Sequence, residues 1–250
     1  TLTGLDDLGW KAFAVNVSDI AAMGGRPNCG LLSIAGPPGT DLDLLARGVA
    51  DAARTYDCSV VGGDLANADT LVVTVAISGR ADGDPILRSG ARPGDGIWVT
   101  GPLGLSAAGL RLLRGKKDAV GRASAAHRRP HPSVAAGLAA RASGATAMID
   151  VSDGLVADLG HIADASHVGF ALDRLPVAEE ATSEEALIGG EDYVLVFTAS
   201  DRAAVLKAFA GLPAPELIGG CTDDPHERTF EGRPLPTIGG WEHTWTARGA

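Results

Sequence analysis

The run VNVSDIAAMG places Asn16 and Asp19 three residues apart in an otherwise apolar stretch near the start of the chain. In a helix, residues at this spacing share one face. The neighbouring valine, isoleucine and alanine side chains leave little of that face clearly exposed. The pattern therefore predicts a buried polar site, with Asp19 as a candidate metal ligand. The alternative interpretation is a solvated polar face.

Carboxylates interrupt a second apolar run, MIDVSDGL, far downstream. In a strand, Asp150 and Ser152 point to one face and Val151 to the other, while Asp153 lies where the next helix begins. Ser152 or Asp153 could simply cap that helix. Capping leaves Asp150 without a role, and a carboxylate in an apolar strand is costly unless it is paired or metal-bound. Asp150 and Asp153 are therefore candidate metal ligands.

Two glycines precede an acidic residue in VVGGD. The short strand 59–61 is predicted to end at Gly62 and Gly63, whose backbone N–H groups would let a phosphate approach closely. Asp64 would repel a bare phosphate, but it suits a Mg²⁺ ion that joins carboxylate to phosphate oxygens. The alternative is a glycine turn in which Asp64 is only solvated.

Two further motifs could contact charged ligands. Arg88 flanks a glycine-rich turn and could hold a phosphate or a carboxylate, although a solvated charge is the alternative. In GGEDY, one of Glu191 and Asp192 could cap or face solvent while the other meets a cationic substrate group. GPPGT resembles the start of a P-loop, but the lysine that a P-loop requires is absent, so residues 36–40 are interpreted as a turn.

Composition argues against several classes of protein. With 31 acidic and 21 basic residues and a net charge of −10, a nucleic-acid partner is not expected. No apolar run approaches the roughly 18 residues of a membrane helix. Three widely spaced cysteines predict a reducing cytoplasm, and neither a disulfide framework nor a cysteine zinc site. His127 and His131 are four residues apart, but Pro130 and Pro132 disfavour a helical zinc pair.

The elements that must position these residues alternate between helix and strand, which predicts an α/β or α+β layered fold. The break at RSGARPGD suggests a boundary between domains 1–92 and 93–250. Segment 116–132 is predicted to be a loop or a frayed helix, and segment 223–250 is predicted to be irregular. We expect helices at 5–25, 41–56, 103–114, 133–143, 155–166 and 201–210, and strands at 29–35, 59–61, 71–79, 96–100, 146–151, 168–172, 193–199 and 216–221.

Together these motifs resemble one known family. NVSDIAAMG, VVGGD, RSGARPGD, GPLGLSAAGL, MIDVSDGLVADLGHIA and GGEDY occur in the same order in the thiamine-monophosphate kinases. These kinases belong to the superfamily of aminoimidazole ribonucleotide synthetase-like ATP-binding proteins. The resemblance runs from about Asp7 to about Trp241, which is nearly the whole chain.

The resemblance implies a subunit of two domains. An N-terminal α/β domain would pair with its copy in a homodimer to close a β-barrel, and the C-terminal domain would be a layered α/β sandwich. ATP would lie in the groove between them, bound through several Mg²⁺ ions rather than a P-loop. The implied reaction transfers the γ-phosphoryl group of ATP to thiamine monophosphate in line, without a phosphorylated side chain.

The resemblance also implies roles for single residues. The implied metal ligands are Asp19, Asp64, Asp150 and Asp153. The implied ATP contacts are Gly63, Asp64, Arg88 and Ser152. Glu191 and Trp241 would face the thiamine phosphate. The indole of Trp241 could pack against the cationic thiazolium ring, and its alternative role is to cover the core.

One part of the family pattern has no counterpart. The kinases carry an N-terminal segment with further metal-binding acids, in a strand like D-x-LVEGVHF, and residues 1–5 do not match it. Two other interpretations are therefore kept. One is another enzyme of the superfamily, of the selenophosphate synthetase or hydrogenase-maturation type, against which GGEDY and NVSDIAAMG argue. The other is a non-catalytic nucleotide-binding relative, against which the four retained acids argue.

Overall fold

The computed structural model describes residues 2–115, 120–235 and 240. The helices in these residues are α1 (Leu5–Ala22), α2 (Leu42–Thr55), α3 (Leu105–Arg114), α4 (Arg122–Arg128), α5 (Val134–Ala142), α6 (Leu155–Ser166), α7 (Ser183–Ile188) and α8 (Arg202–Ala208). The strands are β1 (Arg26–Gly36), β2 (Ser59–Asn67), β3 (Val72–Arg80), β4 (Gly96–Val99), β5 (Ala147–Asp150), β6 (Gly169–Leu172), β7 (Leu195–Ala199), β8 (Glu216–Thr222), β9 (Arg228–Phe230) and β10 (Arg233–Pro234).

Strands β1, β2 and β3 form the first sheet, in the order β2-β1-β3. Strand β2 is parallel to β1, and β3 is antiparallel to it. Helices α1 and α2 cover one face, where Phe13, Ile34 and Leu45 are buried together. Leu31 and Val72 on the opposite face are each 52% exposed. The sheet therefore has one face packed against helices and one uncovered face within this chain.

Strand β2 is longer than the sequence predicted. After a bulge, its ladder to β1 continues through Gly62 and Gly63 as far as Asn67. The predicted end at the glycines is wrong because pairing with β1 outweighs the low strand propensity of glycine. Gly63 also has a steric role, since a Cβ atom at this position would lie 1.7 Å from the carbonyl oxygen of Leu32.

The second sheet has seven strands in the order β10-β9-β6-β8-β4-β7-β5, and all of its ladders except β6–β9 are antiparallel. Leu159 of α6 packs with Ile149 and Val196 on one face. Val205 of α8 packs with Phe197 on the other face, together with alanines of α5. The predicted mixed α/β fold is confirmed, and both sheets are open.

Helix α1 contacts both halves of the chain. Its C-terminal residue Ala22 belongs to the core between the second sheet, α5 and α8. The indole Nε1 of Trp10 donates a hydrogen bond of 2.9 Å to the carbonyl oxygen of Pro130. The guanidinium of Arg129 bonds Asp7 at 2.5 Å and lies 5.5 Å from the centre of the Trp10 ring. The start of the chain is thus joined to the segment that follows α4.

Some short elements lie where none was predicted. Strands β9 and β10 lie in segment 223–250, and α7 lies in the acidic segment after β6. Helix α4 lies in segment 116–132, for which a loop or a frayed helix was predicted. Helix α7 begins with a capping box formed by Thr182 and Glu185. Strand β9 pairs with β6, which is distant in sequence. Such elements depend on tertiary contacts more than on a local hydrophobic period.

No helix in the described part of the chain is long and apolar enough to cross a membrane.

Candidate functional site

Asp150 is a buried carboxylate at the end of β5. The hydroxyl of Ser18, on α1, donates a hydrogen bond of 2.6 Å to Oδ2 of Asp150. Burial raises the pKa of Asp150 to about 6; the bond from Ser18 opposes this shift and the charge of Asp19 adds to it. The partner that a buried carboxylate requires is therefore Ser18.

A cleft of about 380 Å³ opens beside Asp150, and we name it the Asp150 cleft. Asp19 and Arg88 line it together with Asp150 and apolar residues such as Met148. Asp19 is exposed as a whole residue, yet the surrounding protein partly desolvates its carboxyl group and raises its pKa, while Arg88 lowers it. Two carboxylates and a guanidinium are groups suited to a metal-bound phosphate.

The loop that follows β5 is held by Asp158 of α6. Its Oδ2 accepts the backbone N–H groups of Ser152, Asp153 and Gly154 at 3.0, 3.0 and 3.1 Å. Burial raises the pKa of Asp158 to about 7, and the hydrogen bonds from this backbone oppose the shift. The N-cap residue of α6 is Gly154, without a side-chain hydrogen bond. The interpretation of Ser152 or Asp153 as a helix cap is therefore wrong.

A larger pocket of about 550 Å³, which we name the Glu191 pocket, is lined by side chains from four segments. Ser152 and Asp153 come from the loop after β5, and Glu191 and Tyr193 come from GGEDY. The predicted strand over 146–151 would have placed Asp150 and Ser152 on one face. The strand ends at Asp150 instead, and the two residues line different spaces. The remaining lining residues are Ala107, Leu110, Arg111, Arg114, His127, Gly189 and Gly190.

Negatively charged residues of both spaces affect the pKa of the buried Tyr193. Burial raises its pKa, and the negative charges of Glu191, Asp150, Asp153 and Asp19 raise it further, in that order. A charge has such an effect only when it is close. The backbone also places Tyr193 between the two spaces, since its N–H bonds the carbonyl oxygen of Val151 at 2.9 Å, and Val151 lies between Asp150 of the cleft and Ser152 of the pocket.

The two acids of GGEDY have different roles. Asp192 accepts the backbone N–H groups of Gly104 and Ser106, at 2.5 and 3.0 Å, where α3 begins. Burial raises the pKa of Asp192 to about 6, and these hydrogen bonds oppose the shift. Glu191 instead lines the pocket. The prediction that one of the two acids caps is confirmed, with Asp192 in that role.

Backbone contacts hold GGEDY against the loop after β5. The N–H of Glu191 donates to the carbonyl oxygen of Ser152 at 2.8 Å, and the N–H of Tyr193 donates to that of Val151 at 2.9 Å. A Cβ atom on Gly190 would lie 2.4 Å from the carbonyl oxygen of Ser152. The second glycine of the motif therefore permits the close approach of the two segments.

A polar network surrounds the carboxylate of Glu191. Nζ of Lys11 lies 2.8 Å from Oε1 and also donates a bond of 2.8 Å to the carbonyl oxygen of His127. Nδ1 of His127 lies 3.2 Å from Oε2 of Glu191 and 3.0 Å from Oγ of Ser106. Burial lowers the pKa of His127; Lys11 lowers it further, and Glu191 opposes the shift.

The residues predicted for the site form two groups and a remainder. The first group, Asp19, Arg88 and Asp150, lines the Asp150 cleft. The second group, Ser152, Asp153 and Glu191, lines the Glu191 pocket. Gly63 and Asp64 line neither space. Trp241 lies outside the described residues. Across residues 2–115, 120–235 and 240, no three His, Cys, Asp or Glu are grouped so that they could hold a metal ion.

Asp64 lies on the uncovered face of the first sheet. It pairs with Ser33, and the next residue of β1, Ile34, is buried against α1 and α2. Because neighbouring residues of a strand point to opposite faces, Ser33 and Asp64 face away from these helices. The sheet therefore separates Asp64 from α1 within one chain.

Sequence reasoning missed three residues that shape the site, Ser18, Lys11 and Asp158, and it considered His127 only as a possible zinc ligand. Ser18 immediately precedes Asp19, and it is the buried polar group of that stretch. The side-chain amide of Asn16 instead bonds the carbonyl oxygen of Ala12 within α1, at 2.8 Å. Asp158 had a local signal, because it lies in the first turn of a helix that follows DVSDG. Lys11 and His127 had none, since their contacts are to residues distant in sequence.

Comparison with family models gives two matches. The model described as AIR synthase related protein, N-terminal domain, matches residues 3–81. The model described as AIR synthase related protein, C-terminal domain, matches residues 92–231.

The chain is also similar to curated kinases. It is 39% identical over 216 residues to thiamine-monophosphate kinase of Bacillus subtilis, a match that covers 79% of this chain and 66% of the relative. It is 38% identical over 252 residues to thiamine-monophosphate kinase of Escherichia coli, covering 92% of this chain and 77% of the relative. The chain thus spans about two thirds to three quarters of the length of these relatives.

Solved structures show the same similarity. AaThiL complexed with AMPPCP and TMP matches with a TM-score of 0.85 and 32% identity, over 96% of this chain and 81% of that chain. A hydrogenase maturation protein, HypE of Escherichia coli, matches with a TM-score of 0.75 but only 21% identity, over 93% of this chain and 80% of that chain. The second similarity is one of fold alone.

Proposed function

The chain belongs to the thiamine-monophosphate kinase family, and we propose that it transfers the γ-phosphoryl group of ATP to thiamine monophosphate. The products are thiamine diphosphate and ADP, as in thiamine biosynthesis. AMPPCP, named with the structure of AaThiL, is an analogue of ATP. The lower identity to HypE favours the kinase over a hydrogenase-maturation enzyme.

One observation carries the proposal. The loop after β5 separates a cleft lined by Asp19, Arg88 and Asp150 from a pocket lined by Asp153 and Glu191. One residue, Val151, separates Asp150 of the cleft from Ser152 of the pocket along the chain, so the spaces adjoin. Transfer between two phosphorylated molecules needs two neighbouring sites, because donor and acceptor must be held in line.

The residues present fit a divalent cation. Mg²⁺ is commonly held by one or two carboxylates together with phosphate oxygens, so a group of three protein acids is not required. Asp150 is buried beside Asp19, and each additional negative charge there is unfavourable without a cation. Asp19, Asp150 and Asp153 would hold such ions. When bound, Mg²⁺ offsets the repulsion between two anionic substrates.

The chain itself supplies binding and orientation. Arg88 would bind a phosphate of ATP through its guanidinium, and the hydroxyl of Ser152 would bind another phosphate oxygen. Asp158 holds the backbone of Ser152 and Asp153 and thereby fixes where their side chains begin. No side chain needs to be phosphorylated, since positioning and charge stabilisation are sufficient for phosphoryl transfer.

Glu191 and Trp241 complete the proposed site for thiamine monophosphate. Glu191 provides a negative charge for the cationic end of the substrate. A Cβ atom on Gly240 would lie 2.4 Å from the carbonyl oxygen of Asp153, so the residue before Trp241 lies against the loop after β5. This placement supports a role for Trp241 in packing against the thiazolium ring.

The role that we propose for Gly63 and Asp64 requires a second copy of the chain. The uncovered face of the first sheet exposes Leu31 and Val72, and strands β2 and β3 are its edges. Pairing of two such sheets into a barrel would bury these side chains and remove the edges. We place Gly63 and Asp64 at the nucleotide and its metal in that homodimer.

We further divide the chain into domains 1–92 and 93–250 and place the enzyme in the cytoplasm. The matches to the two family models support the division. The thiols of all three cysteines are free, which supports a reducing compartment.

The test is one incubation of this chain with Mg-ATP and thiamine monophosphate, followed by chromatography for thiamine diphosphate. We expect thiamine diphosphate to form, and EDTA to stop its formation. Binding of AMPPCP without turnover would instead support the non-catalytic nucleotide-binding relative. Activity on selenide or on another acceptor would support a different enzyme of the superfamily.

A further inference from the structure

Lys11 reaches Glu191 from the other half of the chain. Helix α1 carries Lys11 and packs on the first sheet, whereas Glu191 follows α7. The side chain of Lys11 is 17% exposed and that of Glu191 is 39% exposed. The ammonium group of Lys11 is held by two acceptors, the carboxylate of Glu191 and the carbonyl oxygen of His127. This ion pair is thus better shielded and better oriented than a pair on the open surface.

His127 contacts the second oxygen of the same carboxylate. The Nδ1 atom lies 3.2 Å from Oε2 of Glu191. The same nitrogen forms a hydrogen bond of 3.0 Å with Oγ of Ser106, whose direction depends on the tautomer of His127. Because a carboxylate can only accept hydrogen bonds, the tautomer with a proton on Nδ1 is the one that suits a contact with Glu191. Burial of His127 favours its neutral form.

We propose that Lys11 and His127 are positioning residues that clamp the carboxylate of Glu191 for the cationic substrate. This inference rests on the proposed function and extends it by naming what orients Glu191. One nitrogen lies near each carboxylate oxygen, Nζ of Lys11 at 2.8 Å from Oε1 and Nδ1 of His127 at 3.2 Å from Oε2. Each oxygen keeps acceptor capacity for a ligand. A side chain that is already held loses less rotamer freedom when the ligand binds.

Two substitutions of Lys11 separate a positioning role from a structural one. K11M keeps the apolar stem and removes the ammonium group, whereas K11R keeps a charged donor. The control is R54M, which removes the exposed ion pair between Arg54 and Asp51 on α2. The readouts are the KM for thiamine monophosphate, the KM for Mg-ATP, kcat, and the calorimetric Kd for thiamine monophosphate.

We expect K11M to raise the KM and Kd for thiamine monophosphate about tenfold or more, because the ion pair that orients Glu191 is lost. The KM for Mg-ATP should stay within about twofold, K11R should recover most of the loss, and R54M should match the wild type. If K11M does not fold, H127L tests the other arm of the clamp in the same way.

The possible results separate a failure of the clamp from a failure of the kinase. An active wild type with an unchanged KM in K11M would overturn the clamp and leave the kinase standing. An equal loss for both substrates would indicate a general structural role. If the wild type binds thiamine monophosphate without turnover, the kinase fails and the Kd values of the variants still decide the clamp. If the wild type neither turns over nor binds it, both proposals fail.

Discussion

The hydroxyl of Ser18 lies 2.6 Å from Oδ2 of Asp150, and this hydrogen bond joins α1 to the end of β5. Ser18 belongs to the first VSD string of the sequence, and Asp150 directly precedes the second. The two similar strings therefore meet in space, although 132 positions separate the bonded residues. Asp19 and Arg88 line the cleft beside this bond.

Replacing Ser18 with alanine should destabilise the protein and weaken nucleotide binding. Asp150 would stay buried without its hydroxyl partner, which costs about 1–3 kcal/mol. Urea denaturation should show this loss, and steady-state kinetics should show a higher KM for Mg-ATP. S143A is a matched control, since among the described residues the buried hydroxyl of Ser143 bonds the carbonyl oxygen of Ala140 alone, at 2.7 Å. An equal loss of stability in both variants with no change in KM would remove Ser18 from the site.

Asp153→Asn should abolish turnover and leave the fold intact. The substitution removes one negative charge proposed to hold Mg²⁺ but keeps the size of the side chain. Formation of thiamine diphosphate and the circular dichroism spectrum are the two measurements. D173N is the control, because Asp173 is exposed and lines neither the Asp150 cleft nor the Glu191 pocket. Unchanged turnover in D153N would remove Asp153 from the proposed metal ligands.

Alanine substitutions at the two adjacent glycines of β2 should lower the free energy of unfolding by different amounts. G63A would bring a Cβ atom to 1.7 Å from the carbonyl oxygen of Leu32, so the ladder to β1 must shift. A loss of about 3 kcal/mol or more is expected in the free energy of unfolding. In G62A the nearest atom is Cδ2 of Leu31 at 3.4 Å, which is an ordinary contact. Equal stability of the two variants would show that the register of β2 is different.

A charge on the uncovered face of the first sheet should separate the proposed dimer. In L31E, a carboxylate replaces a leucine that is 52% exposed in one chain and would be buried between two. Sedimentation velocity should show a dimer for the wild type and a monomer for L31E. L206E is the control, because Leu206 is 48% exposed on α8, away from this sheet. A wild type that sediments as a monomer would contradict the dimer itself.

Asp192 should make stability depend on pH between about 4 and 6. Its pKa is raised from 3.8 to about 6 in the folded state. The group therefore favours folding most below pH 4, and this contribution is lost as the pH rises to 6. In D192N, which cannot ionise, that decline is absent, so the variant should gain up to roughly 3 kcal/mol relative to the wild type across this window. Denaturation at several pH values measures the difference, and a constant difference would contradict the raised pKa.

Local sequence determined much of the fold. Apolar periodicity and glycine or acidic ends were sufficient for the long helices α1, α2 and α6 and for most strands, because these elements bury one regular face. Three acids that line the two spaces, Asp19, Asp150 and Asp153, were also candidates from sequence, since a carboxylate within an apolar run needs a partner wherever it occurs. The resemblance to a kinase family rested on such short strings in a fixed order.

Tertiary structure alone decided which of these residues meet. Strand β2 continues through Gly63 because β1 lies beside it, and β9 exists because β6 pairs with it. The contacts of Ser18 with Asp150 and of Lys11 and His127 with Glu191 join residues more than 60 positions apart. Local propensity contains no information about such pairs, because their energy arises only when packing brings the two groups into hydrogen-bond distance.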